Sequence, residues 1–105
     1  MIYLASPYSH FDPFVREERF LRACKAVAYL LEQQKWVYSP VVHCHQIAML
    51  AELPKEFDFW KEYNFHMLSQ SKELKILRID GWERSQGIAA EHAFAEKNEI
   101  PVSYL

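Results

Sequence analysis

Met1-Ile2-Tyr3-Leu4-Ala5-Ser6-Pro7 is a short apolar run halted by a Ser-Pro turn, and the residues after it decide the fold. Asp12-Pro13 has the form of a helix N-cap followed by proline at the first helical position. From there Phe20, Leu21, Cys24, Val27, Ala28 and Leu31 recur at helical spacing, with Arg16, Glu18, Arg22 and Lys25 on the other side. This pattern predicts a long helix ending near Gln34. Trp36-Val37-Tyr38 reads as a second short strand, closed by Ser39-Pro40. A buried strand, a long helix and another strand in that order form a crossover unit.

The same alternation continues along the chain. Residues 41–57 carry the weakest pattern, with a short helix expected over 45–53 and broken by Pro54. Residues 58–69 read as a helix with Phe59, Tyr63, His66 and Met67 on one face. A third strand is expected over 74–79, a helix over 85–97 and a last strand over 101–105. Strands alternating with helices imply right-handed crossovers and a parallel sheet. The expected fold is α/β, a small three-layer sandwich with about four parallel strands in a single domain, residues 1–105.

Composition narrows the function classes. Half of the 105 residues are apolar and 25% are charged, which is globular composition. Twelve Lys and Arg against fourteen Asp and Glu leave a net charge of −2, so no basic footprint for polymeric nucleic acid or a membrane surface is present. No apolar run approaches the length of a membrane span, and MIYLASPYSH lacks the pattern of a signal peptide. Cys24 and Cys44 are too few for a disulfide framework, so the expected location is the reducing cytoplasm.

In parallel sheets ligands sit beyond the carboxyl ends of the strands, where helix N-termini also point. The segments to search are therefore residues 6–11, 39–45 and 80–87. Neither a G-x-G-x-x-G dinucleotide fingerprint nor a G-x-x-x-x-G-K-[ST] phosphate loop is present. The only glycines, Gly81 and Gly87, both fall in the last segment. They serve either a tight strand-to-helix turn or the close approach of a ligand to backbone amides. Ser85 is a natural N-cap there. Glu91 follows one turn later among Ile88, Ala89, Ala90, Ala93 and Ala95. A glutamate so placed is either a surface ion-pair partner or a desolvated nucleophile or base.

His43-Cys44-His45 matches no zinc spacing, so no metal is expected and a loop or pocket-wall role is assigned to it. His66 reads as a core histidine and Cys24 as a small hydrophobe. Asp58-Phe59-Trp60 combines a candidate N-cap with two aromatics, which either staple the helix or wall a nucleobase.

The opening Ile2-Tyr3-Leu4-Ala5-Ser6-Pro7, followed by Ser85-x-Gly87-Ile88-x-x-Glu91, resembles the nucleoside 2-deoxyribosyltransferase superfamily over essentially the whole chain. It is most similar to the small phage and bacterial branch. The resemblance implies a flavodoxin- or Rossmann-like fold and cleavage of the N-glycosidic bond of a nucleoside or nucleotide, without a cofactor. By that resemblance Glu91 attacks the anomeric carbon, and Tyr3 orients its carboxylate. Ser85 and Gly87 are similar to the motif with which 2′-deoxynucleoside 5′-monophosphate N-glycosidases hold the 5′-phosphate; the transferases proper carry an aspartate at the Ser85 position.

Two departures stand out. Asn64 occupies the place of the aspartate that protonates the departing base, and an amide cannot act as an acid. Either Asp58 substitutes, the base leaves without that assistance, or the protein is not a working enzyme. The loop Ser6-Pro7-Tyr8-Ser9 lacks the arginine of phosphate-binding relatives, leaving Arg16 or Arg19 to supply the charge. The expected catalytic set is thus Glu91, Tyr3, Asn64 and Asp58. The expected substrate-binding set is Ser6, Pro7, Ser85, Gly87, Gly81, Trp60, His45 and Arg19. The alternative is a nucleotide-binding or sensing module that keeps the pocket without the chemistry. The resemblance and the small size of the chain also imply a homodimer or higher homo-oligomer, using apolar faces within residues 14–31 or 59–67.

Overall fold

A computed structural model describes residues 1–105. The chain runs β1 (Ile2–Ala5), α1 (Pro13–Glu32), β2 (Val37–Tyr38), α2 (Pro40–Ala51), α3 (Phe57–Ser69), β3 (Glu73–Ile76), a 3-10 turn over Trp82–Arg84, α4 (Gln86–Lys97) and β4 (Val102–Tyr104). The four strands are all parallel, in the order β2-β1-β3-β4. The expected small three-layer α/β sandwich is the fold observed. No helix is long and apolar enough to cross a membrane.

β1 is central because every residue in it is apolar and both of its faces are covered. Tyr3 and Ala5 point to one side, where they join Leu68 of α3, Leu74 and Ile76 of β3, and Ile88 and Ala95 of α4. Leu4 points to the other side, against Ala26 and Leu30 of α1 and Leu77. Tyr3 pairs with Leu74 and Ala5 with Ile76, so the two inner strands end level. The chain leaves β1 toward β2 on one side and returns to β3 on the other. The carboxyl ends of β1 and β3 therefore flank the switch point where such sheets bind ligands.

Local rules account for the helix starts. Asp12 accepts the Phe14 amide at 2.9 Å with Pro13 at the first position of α1. Ser39 accepts the Val42 amide at 3.2 Å with Pro40 at the first position of α2. Helix α2 consequently begins at Pro40, not at His45, and His43-Cys44-His45 lies on a helix and not in a loop. Asp58 is not an N-cap: Glu56 precedes the helix and Asp58 sits in its first turn. The other boundaries shift slightly. α1 stops at Glu32, two residues before Gln34, which takes a left-handed φ of 61°. β3 closes at Ile76, three residues before the expected end.

Two helices are rotated from their expected faces. α1 buries Phe20, Ala23, Ala26 and Leu30, while Leu21, Ala28 and Leu31 face outward. Two overlapping stripes satisfy the helical spacing, and the one with alanines lets the helix lie close to β1. α3 buries Asn64 and Leu68, whereas Phe59, Tyr63 and His66 are exposed. His66 is therefore a surface residue, not a core histidine. The inward stripe of α3 carries a polar residue because part of it faces a cleft.

Leu74 is fully buried between the two central strands and α3. Leu74→Ala should lower the unfolding free energy by about 2–5 kcal/mol, read from urea denaturation. A loss under about 1 kcal/mol would mean that the sheet is not the centre of the core.

Candidate functional site

A cleft of about 610 Å³ opens at the carboxyl ends of β1 and β3. Its floor is the start of α4. Ser85 accepts the Ile88 amide at 3.1 Å, and Gln86 and Gly87, whose amides precede the first intrahelical bonds, line the cleft. Gly87 continues the helix, and a Cβ there would stand 3.1 Å from the Phe57 ring, so glycine is what lets α3 close over this end. Gly81 does a different job. Its φ of +93° is the left-handed turn a glycine adopts freely, and any Cβ at this position would collide with the Arg19 guanidinium.

Glu91, one turn into α4, is 4% exposed. The Tyr3 hydroxyl, fully buried beneath it on β1, donates a hydrogen bond to its carboxylate. Burial pushes the Glu91 carboxyl up to about 7, and the Tyr3 bond opposes this by favouring the charged form. Burial, and next the adjacent Glu91 charge, hold the Tyr3 phenol well above its usual range, so it stays a donor. Glu91 is therefore the buried carboxyl of the two alternatives, not a surface ion-pair partner.

Of the expected binding residues, Ser6, Pro7, Arg19, His45, Trp60, Gly81, Ser85 and Gly87 all line the cleft, as do Glu91 and Asn64. Tyr3 lies behind Glu91. Asp58 is exposed and outside the lining, because the first turn of α3 points it to solvent while Trp60 and Asn64 turn inward. It is therefore not placed to serve as the substituting carboxyl that the resemblance called for. Arg16 is likewise outside this cleft, its guanidinium donating to the His10 carbonyl. Arg19 is inside it, fixed by a 2.9 Å bond to the Ser9 carbonyl. The Trp60 indole N–H donates to the Pro54 carbonyl at 2.9 Å, which fixes the ring.

The Ser6 Oγ and Asn64 Oδ1 atoms are buried in this wall with no hydrogen-bond partner. Buried polar atoms are ordinarily satisfied, so these two mark positions for a ligand or solvent.

Several lining residues were not marked by the sequence pattern. Arg84 lies inside the searched segment before Ser85, and its charge there was the available signal. Phe57 and Lys55 come from the connection between α2 and α3, which carries no motif at all. Tyr8 and His45 belong to a three-membered chain. The Glu17 carboxylate lies 2.9 Å from His45 Nε2, and the Tyr8 hydroxyl lies 2.6 Å from Nδ1. The imidazole stacks on Phe20 with 4.4 Å between ring centres. A carboxylate only accepts, so Glu17 fixes the proton on Nε2. No group of three or more His, Cys, Asp or Glu side chains is arranged to hold a metal.

The raised Glu91 carboxyl makes stability depend on pH. Below about pH 4 the group is protonated in both states and its contribution is fully present; it is lost as pH rises through about 7. Between pH 5 and pH 8 the wild type should lose about 2–3 kcal/mol more than Glu91→Gln in urea denaturation. Parallel pH profiles would show that Glu91 is not buried as a carboxylate.

No curated protein matches the chain. A family match does exist, and it takes in β1, the Ser85 turn and Glu91 together: it runs over residues 1–105 and is to the family described as "Domain of unknown function (DUF1937)". The cleft just described thus lies wholly within the matched region, and the chain belongs to the DUF1937 family.

Proposed function

We propose that the protein cleaves or transfers the N-glycosidic bond of deoxynucleosides or their 5′-monophosphates. The observation that carries this reading is the buried Glu91 carboxylate, oriented by Tyr3 and opening onto a cleft floored by a helix N-terminus. The amides at the start of α4, the Ser85 hydroxyl and the nearby Arg19 and Arg84 suit a phosphate. An aspartate at Ser85 would repel it. Trp60 offers a face for the base. Ser6 and Asn64 supply the unpartnered atoms for the ligand's hydroxyl and N–H groups.

With the sugar held so, a Glu91 oxygen attacks the anomeric carbon while the bonding pair leaves with the base nitrogen. Water then opens the glycosyl ester in hydrolysis, or a second base does so in transfer. A nucleotide-binding module without turnover is the second reading, favoured by the amide at Asn64. Base release followed by chromatography separates the two, since tight binding of intact nucleotide without release supports the module.

Glu91→Gln keeps the shape but loses the nucleophilic charge. It should abolish base release while nucleotide still raises the melting temperature. Tyr3→Phe should slow release roughly 10- to 1,000-fold, since only an orienting hydrogen bond is lost. Near-wild-type turnover in Glu91→Gln would remove the assignment.

The site operates in the cytoplasm, where the unpaired thiols of Cys24 and Cys44 persist. It sits in a homodimer that covers exposed apolar side chains such as Phe14 and Leu21 on α1 or Phe59 on α3. Light scattering should give twice the chain mass of 12.5 kDa, and the single-chain mass at micromolar concentration would rule the dimer out.

A further inference from the structure

If the chemistry is glycosidic, the departing base needs a proton, and the usual donors are missing from the cleft. Asn64 is an amide, Asp58 lies outside the lining, and Glu56 and Asp80 stand on its exposed rim. The lining also holds the chain of Glu17, His45 and Tyr8, through its last two members.

His45 is 6% exposed, and both of its ring nitrogens are engaged. Tyr8 is half-buried and lines the cleft; its hydroxyl bonds His45 and has the Arg16 guanidinium beside it as a donor, which leaves its third valence for the cleft. The Glu17 side chain is 55% exposed, so the far end of the chain opens on solvent. These three residues join a buried ring to the cleft on one side and to water on the other. A merely structural clasp between α1, α2 and the loop after β1 would need neither opening.

We propose that Tyr8 donates the proton to the departing base, recharged through His45 and Glu17. The inference rests on the glycosidase reading. In the donating state His45 is an imidazolium paired with Glu17, and its Nδ1–H donates to the Tyr8 oxygen, which frees the phenolic hydrogen for the cleft. As the carbon–nitrogen bond breaks, its electron pair goes to the base nitrogen, which takes the Tyr8 proton. Tyr8 takes the Nδ1 proton, and His45 is left neutral with Nε2–H still on Glu17.

In the hydrolytic step water enters from the side the base has left. Its oxygen bonds to the anomeric carbon as the Glu91 ester bond breaks. Its proton passes to Tyr8, and the Tyr8 proton returns to Nδ1. The cycle closes with every proton restored. Tyr8 is the group that touches the substrate; His45 and Glu17 are positioning residues.

The test compares base release from 2′-deoxyguanosine 5′-monophosphate and from its 7-methyl derivative, whose base departs without needing a proton. Tyr8→Phe should lower kcat for the unmethylated nucleotide roughly 100-fold more than for the methylated one. Glu17→Gln should show the same selectivity at roughly 10-fold, and if Tyr8→Phe fails to fold this variant carries the comparison. Equal losses on both nucleotides would overturn the relay while leaving the glycosidase reading in place. No base release from either nucleotide by the wild type would overturn the reading and the relay together.

Discussion

A carboxylate with 4% exposure is costly to bury unless something holds it, and the hydrogen bond from Tyr3 is what holds Glu91. The bond crosses 88 residues of sequence and joins the central strand to the last helix. It constrains a good deal of the remaining structure. Tyr3 must lie on the face of β1 that α4 covers, so Leu4 must face α1. α4 must start level with the ends of β1 and β3 for Glu91 to reach the phenol. The cleft is the space left above that contact.

Around it the chain spends its unusual residues. Gly87 gives way to Phe57, and Gly81 to the Arg19 guanidinium. Asn64 and Ser6 keep buried polar atoms without partners at a cost a purely structural wall would avoid. His45 is tied on both sides and stacked on Phe20, which holds it beside Tyr8. Positive side chains from Arg19, Lys55 and Arg84 and acidic ones from Glu56 and Asp80 line the same opening. The charge lining the cleft is thus mixed in sign.

Much of the site was legible because its parts obey short-range rules. The Ser85 cap, the two glycines and the apolar neighbours of Glu91 all lie within fifteen residues, 81–95, at one strand-to-helix turn. The opening strand placed Tyr3 in the sheet by composition alone. Where the reading went astray, two patterns competed. On α3 the exposed aromatics Phe59 and Tyr63 mimicked a core stripe, and the polar Asn64 disguised the true inward face. On α2 a proline at the first turn marked the start five residues earlier than the apolar pattern did.

The sequence by itself therefore determined the alternation of strands and helices, the Asp12 and Ser85 caps and the candidacy of Glu91, since each depends on neighbours a few residues apart; its burial against Tyr3 came from the tertiary structure. Tertiary structure alone decided the faces of α1 and α3, the exclusion of Asp58 and the order of strands about β1. It also decided the meeting of Glu17, His45 and Tyr8, which are separated by 28 and 37 residues. No spacing rule joins them. They come together because β1 ends beside the first turns of α2 while α1 packs across both, and that arrangement follows from burying the whole apolar surface at once.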